Sequence, residues 1–135
     1  MTTTLEEVRE SFETSPFFEH IGFEIDRFEA GDVILKLTVH DKLLNANGKL
    51  HGGVHASMID IILGMAIRST TKTRCTTISL NTHYLASLSN GTVMAKGRIL
   101  QQGYKIVTAE GELYDDRGEM IAKGMGSYKL LRTSE

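Results

Sequence analysis

The chain has 135 residues, 41% of them hydrophobic, and its 15 Lys and Arg against 17 Asp and Glu give a formal net charge of −2. That size suits one domain with a core of its own, residues 1–135, and leaves little room for a second. The basic residues are scattered rather than striped, which argues against a nucleic-acid partner; the lone Cys75 excludes an intrachain disulfide, and residues 1–7 lack a secretory pattern, so a cytoplasmic location is expected.

Residues 5–13 set Leu5, Val8 and Phe12 at helical spacing among charges, and Pro16 stops the pattern, so a short leading helix is expected. Over 20–28 and 32–40 the period becomes two, clearest in Val33, Leu35, Leu37 and Val39, and Ala30-Gly31-Asp32 between them completes a hairpin. After a loop over 41–50, Ala56, Ile59, Leu63, Ala66 and Ile67 recur at helical intervals. Ile61, Ile62 and Met65 make the other flanks apolar, which predicts a helix buried nearly all round. His55, Ser57 and Asp60 interrupt this segment and Arg68 ends it, well short of the ~20 apolar residues a membrane span needs, so no membrane partner is expected. Three or four further strands are drawn from 76–85, 92–101, 104–115 and 119–130, with turns at Asn90-Gly91, Gln102-Gly103 and Asp116-Arg117-Gly118, so neighbours pair antiparallel. The expected fold is α+β, an antiparallel sheet of five to six strands curled around one long central helix, preceded by a short N-terminal helix.

Two features invite chemistry. The loop Asn47-Gly48-Lys49-Leu50-His51-Gly52-Gly53 matches neither GxxxxGK[ST] nor GxGxxG, so a nucleotide-phosphate cradle fails on spacing. Its paired glycines read either as a tight turn or as free N–H groups which, at the positive end of a helix, hold a developing oxyanion. Asp60 reads either as a salt-bridged or rim residue or as a catalytic carboxylate, costly to bury between Ile59 and Ile61. Ser57 and Gly64 on its helical face would leave a slot beside it. His51 and His55 are four apart, but the glutamate of HExxH is absent and no third ligand is near, so no metal is expected. His51 then orients the loop, His55 is a first-turn residue, and Cys75 is a structural thiol rather than a nucleophile.

Asn45, the Gly48-x-Leu50-His51-Gly52-Gly53 run, Asp60 nine residues after His51, and Asn81-x-x-Tyr84 together resemble the hot-dog fold acyl-CoA thioesterases of the phenylacetate-pathway (PaaI-like) group, over nearly the whole chain. The resemblance implies hydrolysis of a small aromatic or short- to medium-chain acyl-CoA to the free acid and coenzyme A. It implies Asp60 as general base or nucleophile and the Gly52 backbone N–H as oxyanion donor. Asn45 and His51 would hold the carbonyl or the attacking water, and Thr77 would bring a hydroxyl to the carboxylate. Gly53, Tyr84, the turn Gln101-Gln102-Gly103-Tyr104-Lys105 and Lys129 match coenzyme A contacts. No metal or redox cofactor is needed, because coenzyme A belongs to the substrate. The resemblance also implies a homodimer with intersubunit active sites, paired again into a tetramer.

The alternative is a non-catalytic acyl-CoA binding or sensing protein. A hot-dog dehydratase acting on acyl carrier protein fits less well, since its pattern pairs a His in a Pro-rich loop with a helical Glu, whereas Pro16 is the only proline here. The acyl pocket is expected near Met58, Ile62, Met65 and the subunit interface, covered by the leading helix with Phe12, Phe17 and Phe18.

Overall fold

The structure is a computed structural model and describes residues 3–132. The leading helix α1, Leu5–Glu13, opens on a capping box: the Thr4 hydroxyl accepts the Glu7 N–H at 3.1 Å, and the Glu7 carboxylate returns to the Thr4 N–H at 3.0 Å. Pro16, expected only to stop this helix, also starts a second one, α2, Pro16–Ile21. A proline at the first helical position gives up an N–H that would be unpaired anyway. The strand predicted from residue 20 therefore begins later, at β1, Phe23–Glu29, after Gly22 turns the chain at φ 95°.

β2, Asp32–Thr38, closes the expected hairpin with β1. The long helix α3 spans Gly52–Thr71, and β3, Cys75–Tyr84, β4, Thr92–Gln102, β5, Ile106–Tyr114, and β6, Met120–Leu130, follow. All six strands form one antiparallel sheet in the order β1-β2-β4-β5-β6-β3, so β3 is an edge strand although it lies mid-chain.

Three glycines let the sheet close on the helix. Gly97, Gly111 and Gly124 are paired side by side across β4, β5 and β6. A Cβ on Gly124 would stand 2.5 Å from Ile59 Cγ2, and one on Gly111 would stand 2.7 Å from the Lys96 carbonyl and 3.0 Å from Leu63 Cδ2. The row is a trough in which Ile59, Ile62 and Leu63 of α3 lie. Elsewhere α3 is less enclosed than its sequence suggests: Ala56, Ser57, Asp60, Ile61 and Arg68 are only half-buried. The carboxylate that is fully buried is Glu112 on β5, paired with Arg98 and Lys123. Among the described residues no helix is long and apolar enough to cross a membrane.

Candidate active site

The loop before α3 is held by its own side chains. Asn45 Oδ1 accepts the N–H groups of Asn47 at 2.9 Å and Lys49 at 3.1 Å, and Gly48 turns the chain at φ 72°. His51 is the N-cap, its Nδ1 accepting the Gly53 N–H at 2.7 Å. That bond fixes the neutral tautomer and leaves Nε2–H as a donor. It also occupies the Gly53 N–H, whereas the Gly52 N–H meets no acceptor among the described residues. Gly52 is therefore the free donor at the positive end of a 20-residue helix. Tyr84 covers it, its ring carbon 3.5 Å from where a Gly52 Cβ would stand, and His55 packs on Tyr84 with ring centroids 5.7 Å apart. These residues line a cleft of about 390 Å³ with Asn45, Leu50 and Ser87.

Asp60 belongs to a second cluster. Its Oδ1 accepts the Thr77 hydroxyl at 2.8 Å and the Tyr128 hydroxyl at 2.7 Å. Thr77 and Tyr128 face each other in the β3–β6 pairing, so adjacent strands deliver two donors to one oxygen. Burial first, and the Asp60 charge second, push the Tyr128 phenol far upward, so it stays protonated and donates. Asp60 Oδ2 has no partner among the described residues. The slot imagined beside Asp60 is closed at Gly64, which faces the Phe12 ring, 3.8 Å from where a Cβ would stand. Met58, Ile62 and Met65, expected to line an acyl pocket, are 0% exposed and are core residues instead. Phe12 and Phe18 of the leading helices pack into this core, against Phe28 and Phe23.

Gly52 and Asp60 are eight residues apart on α3. At 1.5 Å per residue that is roughly 12 Å along the axis. A base and an oxyanion donor acting on one carbonyl must each lie within about 3 Å of the reacting atoms. The expected catalytic residues thus fall into two groups in each chain, Asp60 with Thr77 and Gly52 with His51, Asn45, Gly53 and Tyr84.

The remaining expected contacts lie elsewhere. Gln101 and Gln102 prove to be the end of β4 rather than part of the turn; Gly103, Tyr104 and Lys105 make the turn into β5, and Lys129 pairs with Ile106. Tyr104 also lines a cleft of about 570 Å³ that gathers Arg68, Lys72, Arg74 and Arg132. Sequence reading missed this gathering because its members come from three separate stretches of chain. It also missed Tyr128, although an inward tyrosine in an apolar strand needs a partner for its hydroxyl. Burial pushes the Cys75 thiol up to about 11, which disfavours the thiolate that a nucleophile needs.

Comparisons with known proteins identify the fold and the family. The chain is 29% identical over 129 residues to acyl-coenzyme A thioesterase 13 of Pongo abelii, covering 92% of each. It superimposes on the conserved protein PA5202 of Pseudomonas aeruginosa with a TM-score of 0.86 and 26% identity, over 91% of this chain and 98% of that one. The PaaI protein from the phenylacetic acid degradation operon of E. coli has the same fold, with a TM-score of 0.87 at 18% identity over 94% and 92% of the two chains. The family model described as the thioesterase superfamily matches residues 47–122, which hold His51, Gly52, α3, β3 with Thr77, and Gly97 and Gly111 of the trough; Asn45, Gly124 and Tyr128 lie outside the match. The chain belongs to the thioesterase superfamily, with the hot-dog fold, and is a thioester hydrolase.

Proposed function

We propose that this enzyme hydrolyses acyl-CoA thioesters, of small aromatic or short to medium acyl groups, at sites shared between two subunits. The observation that carries the reading is the Asp60 carboxylate, one oxygen held by Thr77 and Tyr128 and the other free, on the β3 side of the helix. β3 is an open edge ten residues long with Ile78 55% exposed, the kind of edge that a second copy pairs with. Such pairing supplies what one chain lacks, since it can set Asp60 of one subunit opposite Gly52 of the partner subunit. A pair of such dimers would make the tetramer.

In this reading the thioester carbonyl rests on the Gly52 N–H, with His51 Nε2–H and the Asn45 amide as further donors. Asp60 takes a proton from water as the water oxygen bonds to the carbonyl carbon, and negative charge passes to the carbonyl oxygen. The C–S bond then breaks, and the thiolate of coenzyme A leaves with the proton from Asp60. The alternative in which Asp60 itself attacks gives a mixed anhydride that water cleaves, with the same products. A thioester is activated enough that the reaction as proposed uses no metal or redox cofactor. The phosphates of coenzyme A suit Lys105, Lys129 and the Arg68–Lys72–Arg74–Arg132 cleft, in which the Arg132 guanidinium lies over the Tyr104 ring. The lone thiol fits a cytoplasmic location.

The test is a thiol-release assay of wild type and Asp60→Ala over phenylacetyl-, hydroxybenzoyl-, short- and medium-chain acyl-CoA. Losing a general base should cost Asp60→Ala about 10²–10⁴ in rate. Undiminished turnover by the variant would remove Asp60 from the mechanism, and saturable binding with no wild-type turnover would make the chain an acyl-CoA binding protein.

A further inference from the structure

His55 is 3% exposed, and neither of its ring nitrogens has a hydrogen-bond partner among the described residues. Buried polar groups are nearly always paired, so two vacancies on one ring point to a partner from outside the chain. The ring has a defined place. It lies one turn beyond Gly52 on α3, where side chains tilt toward the helix N-terminus, and it lines the same cleft as Gly52 and Asn45. Tyr84 packs against it and also covers Gly52, so a group seated on the Gly52 N–H has Tyr84 beside it and His55 further in. Leu50, Tyr84 and Leu85 supply apolar walls. Apolar walls with a few convergent polar groups are how small-molecule sites fix orientation. Burial, with a lesser push from His51, lowers the His55 pKa and keeps the ring neutral, with one N–H donor and one acceptor nitrogen.

Resting on the acyl-CoA reading above, we propose that His55 reads the substrate: it hydrogen-bonds a polar group of the bound thioester, either an oxygen substituent on the acyl moiety or the outer amide of the pantetheine arm. The acyl source would make this a thioesterase for oxygenated acyl groups, such as hydroxyacyl or oxoacyl chains. The pantetheine source would make His55 a general anchor of the carrier. His55 is a specificity residue in either case, since the base and the oxyanion donor are assigned elsewhere.

The test uses His55→Phe, which keeps ring packing on Tyr84, and His55→Gln, which keeps hydrogen-bonding capacity. Each is assayed with butyryl and 3-hydroxybutyryl groups on coenzyme A and on N-acetylcysteamine, which lacks the outer pantetheine amide. Loss of a hydrogen bond to substrate should lower kcat/KM roughly ten- to a hundredfold. If the acyl group is read, His55→Phe loses this much on the hydroxylated acyl group with both carriers and keeps its rate on butyryl thioesters. If the outer amide is read, the loss falls on both coenzyme A thioesters and spares the N-acetylcysteamine ones. Partial recovery in His55→Gln is expected either way. A His55→Phe enzyme matching wild type on all four substrates overturns the proposal.

A second readout does not depend on turnover. The ¹⁵N ring signals of His55, identified by their absence in His55→Phe, should move when the thioether analogue of 3-hydroxybutyryl-CoA is added. Stationary signals beside Asp60-dependent turnover sink this inference alone, whereas absence of wild-type turnover sinks the reading on which it rests.

Discussion

The hydroxyl of Tyr128 stands 2.7 Å from Oδ1 of Asp60 and 3.1 Å from the Asp60 carbonyl oxygen, so one strand residue holds both the carboxylate and the helical turn that carries it. Thr77 completes the fork from the neighbouring strand. Rotation of the carboxylate would break two charge-assisted bonds, which aims the free Oδ2. Tyr128→Phe removes one donor with little change of shape. It should lower kcat about tenfold and stability by about 1 kcal/mol, with KM little changed because the phenol touches the base and not the substrate. Steady-state kinetics and urea denaturation would check this; an unchanged kcat would make Tyr128 a packing residue only.

Gly52→Pro isolates the oxyanion donor. Proline at the first helical position suits the helix, and His51 before it already has extended backbone at φ −61° and ψ 136°. The substitution replaces the free N–H by the ring Cδ and sets ring carbons against Tyr84, so a folded enzyme slower by at least about 10²–10³ is expected. Mixing it with Asp60→Ala tests the shared site. In a random mixture half the dimers are mixed and each keeps one intact site of two, so about a quarter of wild-type activity should return. No recovery after subunit exchange would place both groups on one chain.

How much of this could be read from the sequence depended on whether a signal was local. Alternation in β2 and the helical recurrence from Ala56 to Ile67 placed these elements to within a few residues. Pro16 reads only as a stop for α1, because a proline that ends one helix and one that starts another look alike without their caps. Asn45, His51 and Gly52 are close in sequence and were legible as a group. Tyr128 lies 68 residues from Asp60, and only the β3–β6 register joins them. Glu112 carried no signal in the sequence: a charged residue on a strand, it is buried only because Arg98, Lys123 and Tyr114 reach it from three other positions in the sheet.

The cationic cleft makes a prediction about salt. Arg68, Lys72, Arg74 and Arg132 converge near Tyr104, and among the described residues none of the four forms a salt bridge. If coenzyme A phosphates dock there, Arg74→Glu with Arg132→Glu should raise KM for acyl-CoA about tenfold or more and leave kcat nearly unchanged. Wild-type KM should also rise with ionic strength, and more steeply than that of the double variant. N-acetylcysteamine thioesters, which carry no phosphate, should be indifferent to both changes. Equal KM values for the two enzymes on acyl-CoA would remove the cleft from the binding site.

The glycine trough sets the depth at which α3 sits. Gly124→Val must displace Ile59 or lift the strand, since even a Cβ there meets Ile59 at 2.5 Å and the Asn81 carbonyl at 3.0 Å. Overpacking of this kind costs about 1–3 kcal/mol. Ile59→Ala in the same chain should return part of the loss, because it removes the atoms met. A double variant that merely adds the two separate costs would mean the helix and strand do not contact through this pair.

Stability should decline in alkali. Burial raises the Cys75 thiol from 9.0 to about 11 and raises the Tyr128 phenol well above 10.0. Both groups are neutral when protonated, and the unfolded chain loses each proton at a lower pH than the folded one. The stability they contribute is therefore complete below pH 9, falls as pH rises through 9 to 11 for Cys75, and continues to fall above 10 for Tyr128. Urea midpoints across pH 8 to 11 should decline, and the decline should be shallower in Cys75→Ala, whatever its absolute stability. The thiol reaction with Ellman's reagent should follow the same pH course in the folded protein. A wild-type midpoint that is level to pH 11, or a Cys75 that reacts fully at pH 8 without denaturant, would contradict the burial assigned to the Cys75 thiol and the Tyr128 phenol.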